Sequence, residues 1–242
     1  YPIGWECSGH PLSLYLNLRR TSPSPYGCYM DVGFSHIVSS SPELLFSFDG
    51  QRIITQPIKG TIAKRNHYVE DNDQKRLLLN SKKDDAELMM IVDLERNDLG
   101  RIAKKGTVKV DPLKHLETYS HLHHLVSTIT AELDPSCGFL DIMEALYPGG
   151  SITGAPKYSA IGLLQQFEPF PRHFYTGSMG YISTSGHMMF NIGIRTFYTK
   201  GSHCLYGHTG GGIVADSQAE LEWEETMLKF QGMKVALCAK IG

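Results

Sequence analysis

The amino-acid sequence predicts an α+β protein built mainly on antiparallel sheets, and three observations carry that expectation. Segments with partial period-2 alternation and many aromatic or β-branched residues fall at 26–34, 44–48, 52–56, 175–183, 187–197 and 203–206. Helical patterns are distributed unevenly among them, without the regular βαβ beat of a parallel sheet. The Asp49-Gly50 dipeptide between two of the strand segments is a hairpin-turn signal, which ties neighbouring strands antiparallel.

Helical patterns lie at 11–20, 71–94, 139–146, 156–167 and 217–237. In 156–167, Ile161, Leu164 and Phe167 recur at three-residue spacing with Ala160 and Leu163 beside them, and Pro156 suits a first helical turn. In 217–237, the apolar set Leu221, Met227, Leu228 and Val235 is interleaved with charge, so one face belongs to a core and the other to water or function. No repeat, low-complexity tract or linker interrupts the chain.

Size and composition narrow the function classes. A chain of 242 residues fits one large domain, and 41% hydrophobic with 20% charged residues excludes a disordered or fibrous protein. A net charge of −2 lacks the clustered excess of Lys and Arg that nucleic acid requires. No apolar run reaches the roughly 20 residues of a membrane span. Cys7, Cys28, Cys137, Cys204 and Cys238 are scattered and odd in number, which reads as free thiols in a reducing cytosol. The chain opens on Tyr1 rather than Met, so a fragment of something longer is expected.

Five groups of residues have chemical potential. Glu222 and Glu225 lie three apart on one helix face, and Asp84 and Glu87 repeat that spacing on another; carboxylates facing each other from two helices suit a hard cation such as Mg²⁺. Solvated helix faces carry such pairs as well. Gly210, Gly211 and Gly212 precede the acidic helix, where free backbone amides can approach an anion, and Asp216 or Ser217 can cap the helix.

Gly149-Gly150-Ser151-Ile152-Thr153-Gly154-Ala155-Pro156-Lys157 departs from a Walker loop, because Ala155-Pro156 intervenes before the lysine; a smaller anion or a close backbone contact fits better than a nucleoside triphosphate. Lys59, between Ile58 and Gly60 at a strand end, would become a nucleophile or base if buried, and an exposed terminal lysine otherwise. His121, His123 and His124 lack a partner cysteine or an HExxH spacing, so zinc is disfavoured and a hydrogen-bonding role is the simpler one. Arg195, on an otherwise apolar segment, calls for a carboxylate partner, and a dicarboxylate substrate is one candidate.

Taken together, Ser41-Pro42-Glu43, Pro57-Ile58-Lys59-Gly60-Thr61, the run from Glu87 to Asp98, His124-Leu125-Val126-Ser127, the run from Pro148 to Lys157 and that from Gly210 to Ser217 resemble the chorismate-utilising enzymes. That family includes the large subunits of anthranilate synthase and aminodeoxychorismate synthase, with the isochorismate and salicylate synthases. The resemblance covers about Pro11 to Lys229, and six linked motifs in order are highly specific.

The resemblance implies antiparallel sheets packed as a sandwich with flanking helices, in one chorismate-binding catalytic domain over 1–242 that lacks the family's N-terminal part. It assigns Mg²⁺ to Glu87 and Glu225 with Glu222 beside them. It places Tyr175, Arg195, Lys229 and the amides of Gly210, Gly211 and Gly212 on a substrate carboxylate, and Thr61 and His124 along the ring. Glu43 would protonate the leaving C4 hydroxyl and then act as base. Lys59 points to the aminodeoxychorismate synthase branch, where anthranilate synthases typically carry Ala; such a lysine attacks C2, and ammonia then enters at C4. Ammonia would come from a glutamine amidotransferase partner, in the cytoplasm, on the route to p-aminobenzoate and folate. Anthranilate synthase component I and a chorismate-binding module without turnover are the alternatives.

Overall fold

The computed structural model describes residues 1–6, 9–201 and 204–238; Cys7 and His203 lie outside the described residues. The chain opens with β1 (Pro2–Glu6), α1 (Pro11–Thr21), β2 (Tyr26–Asp31), β3 (His36–Ser41), β4 (Leu44–Phe48), β5 (Arg52–Gln56) and β6 (Ile58–Ala63). Next come α2 (Tyr68–Leu79), α3 (Lys82–Gly100), β7 (Lys109–Val110), β8 (His115–Thr118), β9 (Leu122–Val126), β10 (Ile129–Glu132) and α4 (Phe139–Leu146). A short 3₁₀ turn (Gly150–Ile152) leads to α5 (Lys157–Phe167), β11 (Gly180–Ile182), β12 (Met188–Asn191), β13 (Thr196–Lys200), β14 (Cys204–His208) and α6 (Ala219–Cys238).

The strands form three sheets. The first has the order β1-β14-β13-β3-β2, the second β11-β12-β4-β5-β10-β7 and the third β6-β9-β8. Each paired neighbour is antiparallel. The α+β expectation holds. One apolar cluster joins the first sheet to α1 and α6 through Leu18, Val38, Phe197, Leu205, Met233 and Ala236. A larger one joins the second sheet to α3 and α4, with Phe46, Ile53, Val92, Leu99 and Ile142 at its heart. Each of these two sheets therefore buries a face under its own pair of helices, the arrangement that an alternating strand and an amphipathic helix reach together.

The chain passes between sheets at six places, and four of these passages position the site. β3 and β4 are joined by Pro42-Glu43, which leave the first sheet for the second. β12 and β13 make the reverse passage through Ile192-Gly193-Ile194-Arg195. Pro57 separates β5 in the second sheet from β6 in the third, and Ser127-Thr128 returns the chain from β9 to β10. The first two passages are stitched together: Ile192 N–H donates to Glu43 O at 3.0 Å, and the Ser41 hydroxyl donates to Ile192 O at 2.6 Å.

Several expected boundaries shift for local reasons. The helix expected at 71–94 is two helices, because the Ser81 hydroxyl accepts from Asp84 N–H and caps a new start after Asn80 ends the first. Pro156 is the N-cap residue of α5 rather than part of its first turn. The strand expected at 187–197 breaks at Ile192, since Arg195 adopts φ 49° and leaves the pleat. Tyr175 lies outside β11, in a stretch where His173 and Thr176 also have positive φ. Ser217 does not cap α6; its hydroxyl donates to Glu222 Oε1 at 2.6 Å and accepts from Val214 N–H.

Candidate functional site

A cavity of about 820 Å³ opens where the passages between sheets converge. Glu43 enters from the β3–β4 passage, Lys59 from β6, His124 from β9 and Arg195 from the β12–β13 passage, while α3 and α6 present carboxylates from the other side. Every residue expected at the site lines this one cavity: Glu43, Lys59, Thr61, Glu87, His124, Tyr175, Arg195, Gly210, Gly211, Gly212, Glu222, Glu225 and Lys229.

On one wall, Glu43 is 3% exposed, and burial pushes its carboxyl pKa up. Ile58 N–H donates to its Oε1 at 3.1 Å, and the ammonium groups of Lys59 and Lys229 pull in the opposite direction without prevailing. Ser151 stands close enough to favour the ionised carboxylate, yet its buried hydroxyl reaches no hydrogen-bond partner of acceptable geometry. Ser151 Oγ is thus a buried, unsatisfied donor on a residue that lines the cavity. Lys59 Nζ donates to Ser151 O at 3.1 Å. Burial lowers the Lys59 pKa, and the carboxylates of Glu43 and Glu87 only partly restore it. A carboxyl whose proton is held more tightly than usual thus adjoins an amine whose proton is held more loosely, the directions that suit a general acid beside a nucleophile.

A second wall is cationic. Arg195 Nη2 donates to His124 Nε2 at 2.7 Å. A guanidinium has no acceptor, so Nε2 must be the bare nitrogen and Nδ1 carries the proton, which it directs at Thr61 Oγ1 (3.1 Å) and Gly60 O (3.3 Å). Burial, followed by the Arg195 charge, holds the His124 pKa well below its usual value, so the imidazole is neutral. Arg195 is brought down to about 10 by burial and remains charged at neutral pH. The carboxylate partner expected of it is missing within the chain: among the described residues no carboxylate forms an ion pair with Arg195. A buried guanidinium held only by a neutral ring is a place for an anion. Tyr175 stacks on His208 with ring centroids 5.3 Å apart, and burial raises its phenol to about 12.

The acidic wall is balanced by lysines. Lys83 Nζ lies 3.0 Å from Glu222 Oε1 and 3.9 Å from Glu87 Oε1, and Lys229 Nζ lies 2.6 Å from Glu225 Oε1. Burial raises the Glu87 pKa, with Lys59 and Lys83 opposing. At Glu222 burial is outweighed by Ser217 and Lys83, and the pKa ends below its usual value. The glycine loop closes directly over these groups. A Cβ at Gly211 would lie 3.4 Å from Glu222 Oε2 and 3.9 Å from Glu225 Oε1; one at Gly212 would lie 3.1 Å from Lys59 Nζ. Among the described residues no three His, Cys, Asp or Glu side chains converge as a ready-made metal cluster. The donor chemistry nevertheless fits a hard cation, since Glu87 and Glu222 already share one cation, the Lys83 ammonium, between carboxylate oxygens.

Other expectations resolve differently. Lys157, the lysine of the Gly149–Lys157 motif, is committed to Asp98 at 2.6 Å in a buried ion pair and is not offered to an anion. His123 faces away from the cavity, where Asp71 Oδ1 meets its Nε2 at 2.7 Å and Thr118 its Nδ1 at 2.9 Å. Among the described cysteines, Cys28, Cys137, Cys204 and Cys238 are free. No helix among the described residues is long and apolar enough to cross a membrane. Lys83 and Ser151 were not singled out from sequence. Lys83 stands four residues before Glu87, a spacing that was legible; the unsatisfied Ser151 hydroxyl required the three-dimensional packing.

The sequence and shape of this chain have close counterparts. The family model for chorismate binding enzymes matches residues 2–235. The chain is 44% identical over 222 residues to the aminodeoxychorismate synthase component 1 of Escherichia coli, covering 92% of this chain and 49% of that protein. It is 41% identical over 230 residues to the anthranilate synthase component 1 of Saccharolobus solfataricus, covering 95% and 54%. The crystal structure of anthranilate synthase component I from Streptococcus pneumoniae superposes with a TM-score of 0.86 at 36% identity, covering 96% of this chain and 51% of that one. The chain thus spans about half the length of these relatives. A family match over nearly the whole chain, together with six motifs gathered around one cavity, establishes that this chain belongs to the chorismate binding enzyme family.

Proposed function

We propose that this chain carries the active site of an enzyme that aminates chorismate to 4-amino-4-deoxychorismate, with Mg²⁺ as cofactor and ammonia from a glutamine amidotransferase partner. The observation that carries this reading is Lys59: a half-buried amine with a lowered pKa beside the acid-favouring Glu43, in a cavity that also holds the unpaired Arg195. Chorismate is a dicarboxylate, so Arg195 supplies one counter-charge. Glu87, Glu222 and Glu225 would hold the Mg²⁺, which when bound supplies positive charge for the other carboxylate.

In the proposed sequence the neutral Lys59 amine forms a bond to ring C2, both ring double bonds shift around C1, C6 and C5, and the C4–O bond breaks. Glu43 gives its proton to the departing hydroxyl, which leaves as water. Ammonia then forms a bond to C4, both double bonds shift back and the C2–N bond to Lys59 breaks; Glu43 accepts the surplus proton. Two substitutions, the first expelling water and the second the Lys59 amine, replace one direct displacement of hydroxide by ammonia.

Amination at C2 to give anthranilate is the second reading, favoured by a relative of that name at 41% identity. The names of both relatives include "component 1", which supports a second, ammonia-supplying component. The test is to incubate the chain with chorismate, an ammonium salt and Mg²⁺. A 4-amino product that falls by about 100-fold or more in Lys59→Ala supports the proposal; anthranilate as product sinks it. Chorismate binding without any product would identify a binding module instead.

A further inference from the structure

We infer that Lys83 is an internal counter-cation that occupies the position between Glu87 and Glu222 and must withdraw before a divalent ion can bind there. The inference rests on the cation site of the proposed function and assigns this chain's own residue a role in setting that site's affinity. Lys83 reaches across from the first turn of α3 to α6, so its ammonium lies between a carboxylate of its own helix and one of the facing helix. No other ammonium in the described ion pairs joins Glu87 to Glu222.

The cavity's charges explain why such a cation is present. Glu87, Glu222 and Glu225 face one another across a half-buried space in which like charges repel strongly. Lys83 and Lys229 offset that repulsion, each within ion-pair distance of a carboxylate oxygen. Withdrawal of Lys83 is easy. Its side chain is 43% exposed and tethered at the entrance, so it can swing into solvent without disturbing the core. Glu222 keeps its orientation meanwhile, because Ser217 continues to donate to Oε1 and Oε2 faces the glycine loop. A salt bridge of purely structural value would instead hold α3 against α6 and resist the ion only through lost stability.

Titration with Mn²⁺, followed by electron paramagnetic resonance or calorimetry, separates these roles without reference to turnover. Lys83→Gln is expected to bind Mn²⁺ about tenfold more tightly than the unmodified chain, because the ion then no longer has to displace an ammonium from Glu222 and Glu87. Lys83→Arg keeps the cation and is expected to stay near the unmodified affinity. Circular dichroism and thermal melts confirm that each variant is folded. If Glu87→Gln abolishes Mn²⁺ binding but Lys83→Gln binds no more tightly than the unmodified chain, the cation site stands and the role of Lys83 is overturned. If Mn²⁺ binds neither protein, or binds indifferently to Glu87→Gln, the cation reading fails and the inference with it.

Discussion

Arg195 Nη2 meets His124 Nε2 at 2.7 Å, and each residue fixes the state of the other. The guanidinium forces the imidazole into one tautomer, and the imidazole aims a charge that no carboxylate of the described chain neutralises. The pair joins the third sheet to the β12–β13 passage, so an anion bound here would be clamped between two structural units. Arg195→Met is expected to weaken chorismate binding by about 100-fold, as for loss of a buried charge partner, while His124→Gln retains more affinity because an amide oxygen can still accept from Arg195. Calorimetric titration with chorismate measures both; equal losses would contradict the orienting role of His124.

The same pair predicts a pH dependence of stability. The native pKa of His124 lies below its usual 6.5, so below that pH the unfolded chain binds a proton the native site refuses. Stability from this group is present above about pH 6.5 and falls as the pH drops through that value. The His124 ring resonances should therefore remain in their neutral positions from about pH 8 to 5.5 in a nuclear magnetic resonance titration, where an ordinary histidine would titrate.

Glu95 shows the opposite sign for a carboxyl. It is 4% exposed, and burial raises its pKa to about 8, with Thr55 donating to Oε2 at 2.8 Å and the Glu43 carboxylate adding to the rise; Lys157 opposes it and Asp98 reinforces it. The native state binds the proton more tightly than the unfolded state, so stability declines as the pH rises from about 4.5 to 8. Glu95→Gln mimics the neutral acid and is expected to stabilise the fold by about 1–3 kcal/mol at pH 8 and by less than about 0.5 kcal/mol at pH 4.5. Urea melts at the two pH values decide it; equal gains would mean that Glu95 is not the titrating group.

Gly212 tests the closeness of the glycine loop. A methyl group there comes within 3.1 Å of Lys59 Nζ and 3.8 Å of Glu87 Oε2, in the space between the two side chains. Gly212→Ala is expected to reduce chorismate conversion by about 10-fold or more while changing the unfolding free energy by less than about 0.5 kcal/mol, since the position is exposed. A melting curve and an activity assay on the same sample separate the two effects.

Asp98 and Lys157 are 7% and 11% exposed and 2.6 Å apart. Lys157→Met leaves a buried carboxylate and is expected to cost about 3–5 kcal/mol, whereas Asp98→Leu together with Lys157→Met recovers most of that loss. Chemical denaturation of the single and double variants completes the cycle. Independent, additive losses would show that the pair is not coupled.

Local patterns announced much of this molecule. The 44–48 and 52–56 strands and the 139–146 helix fell where alternation, the Asp49-Gly50 turn and helical spacing placed them, because each of those signals acts over a few residues. The motif residues likewise revealed the family and about half of the lining of the cavity. What local patterns could not determine was conformation imposed by distant partners. Arg195 lies off its expected strand because the chain changes sheet there, and Lys157 is withdrawn from its glycine motif by Asp98, 59 residues away in sequence. Protonation states belong to the same category. Whether Lys59 is an exposed cation or a half-buried amine depends on the walls that the β3–β4 passage, the 3₁₀ turn and α3 bring around it, since burial acts through neighbours that sequence spacing does not reveal. The sequence by itself determined which groups could do the chemistry; the tertiary structure decided which of them are paired, which are buried and which are left facing the cavity.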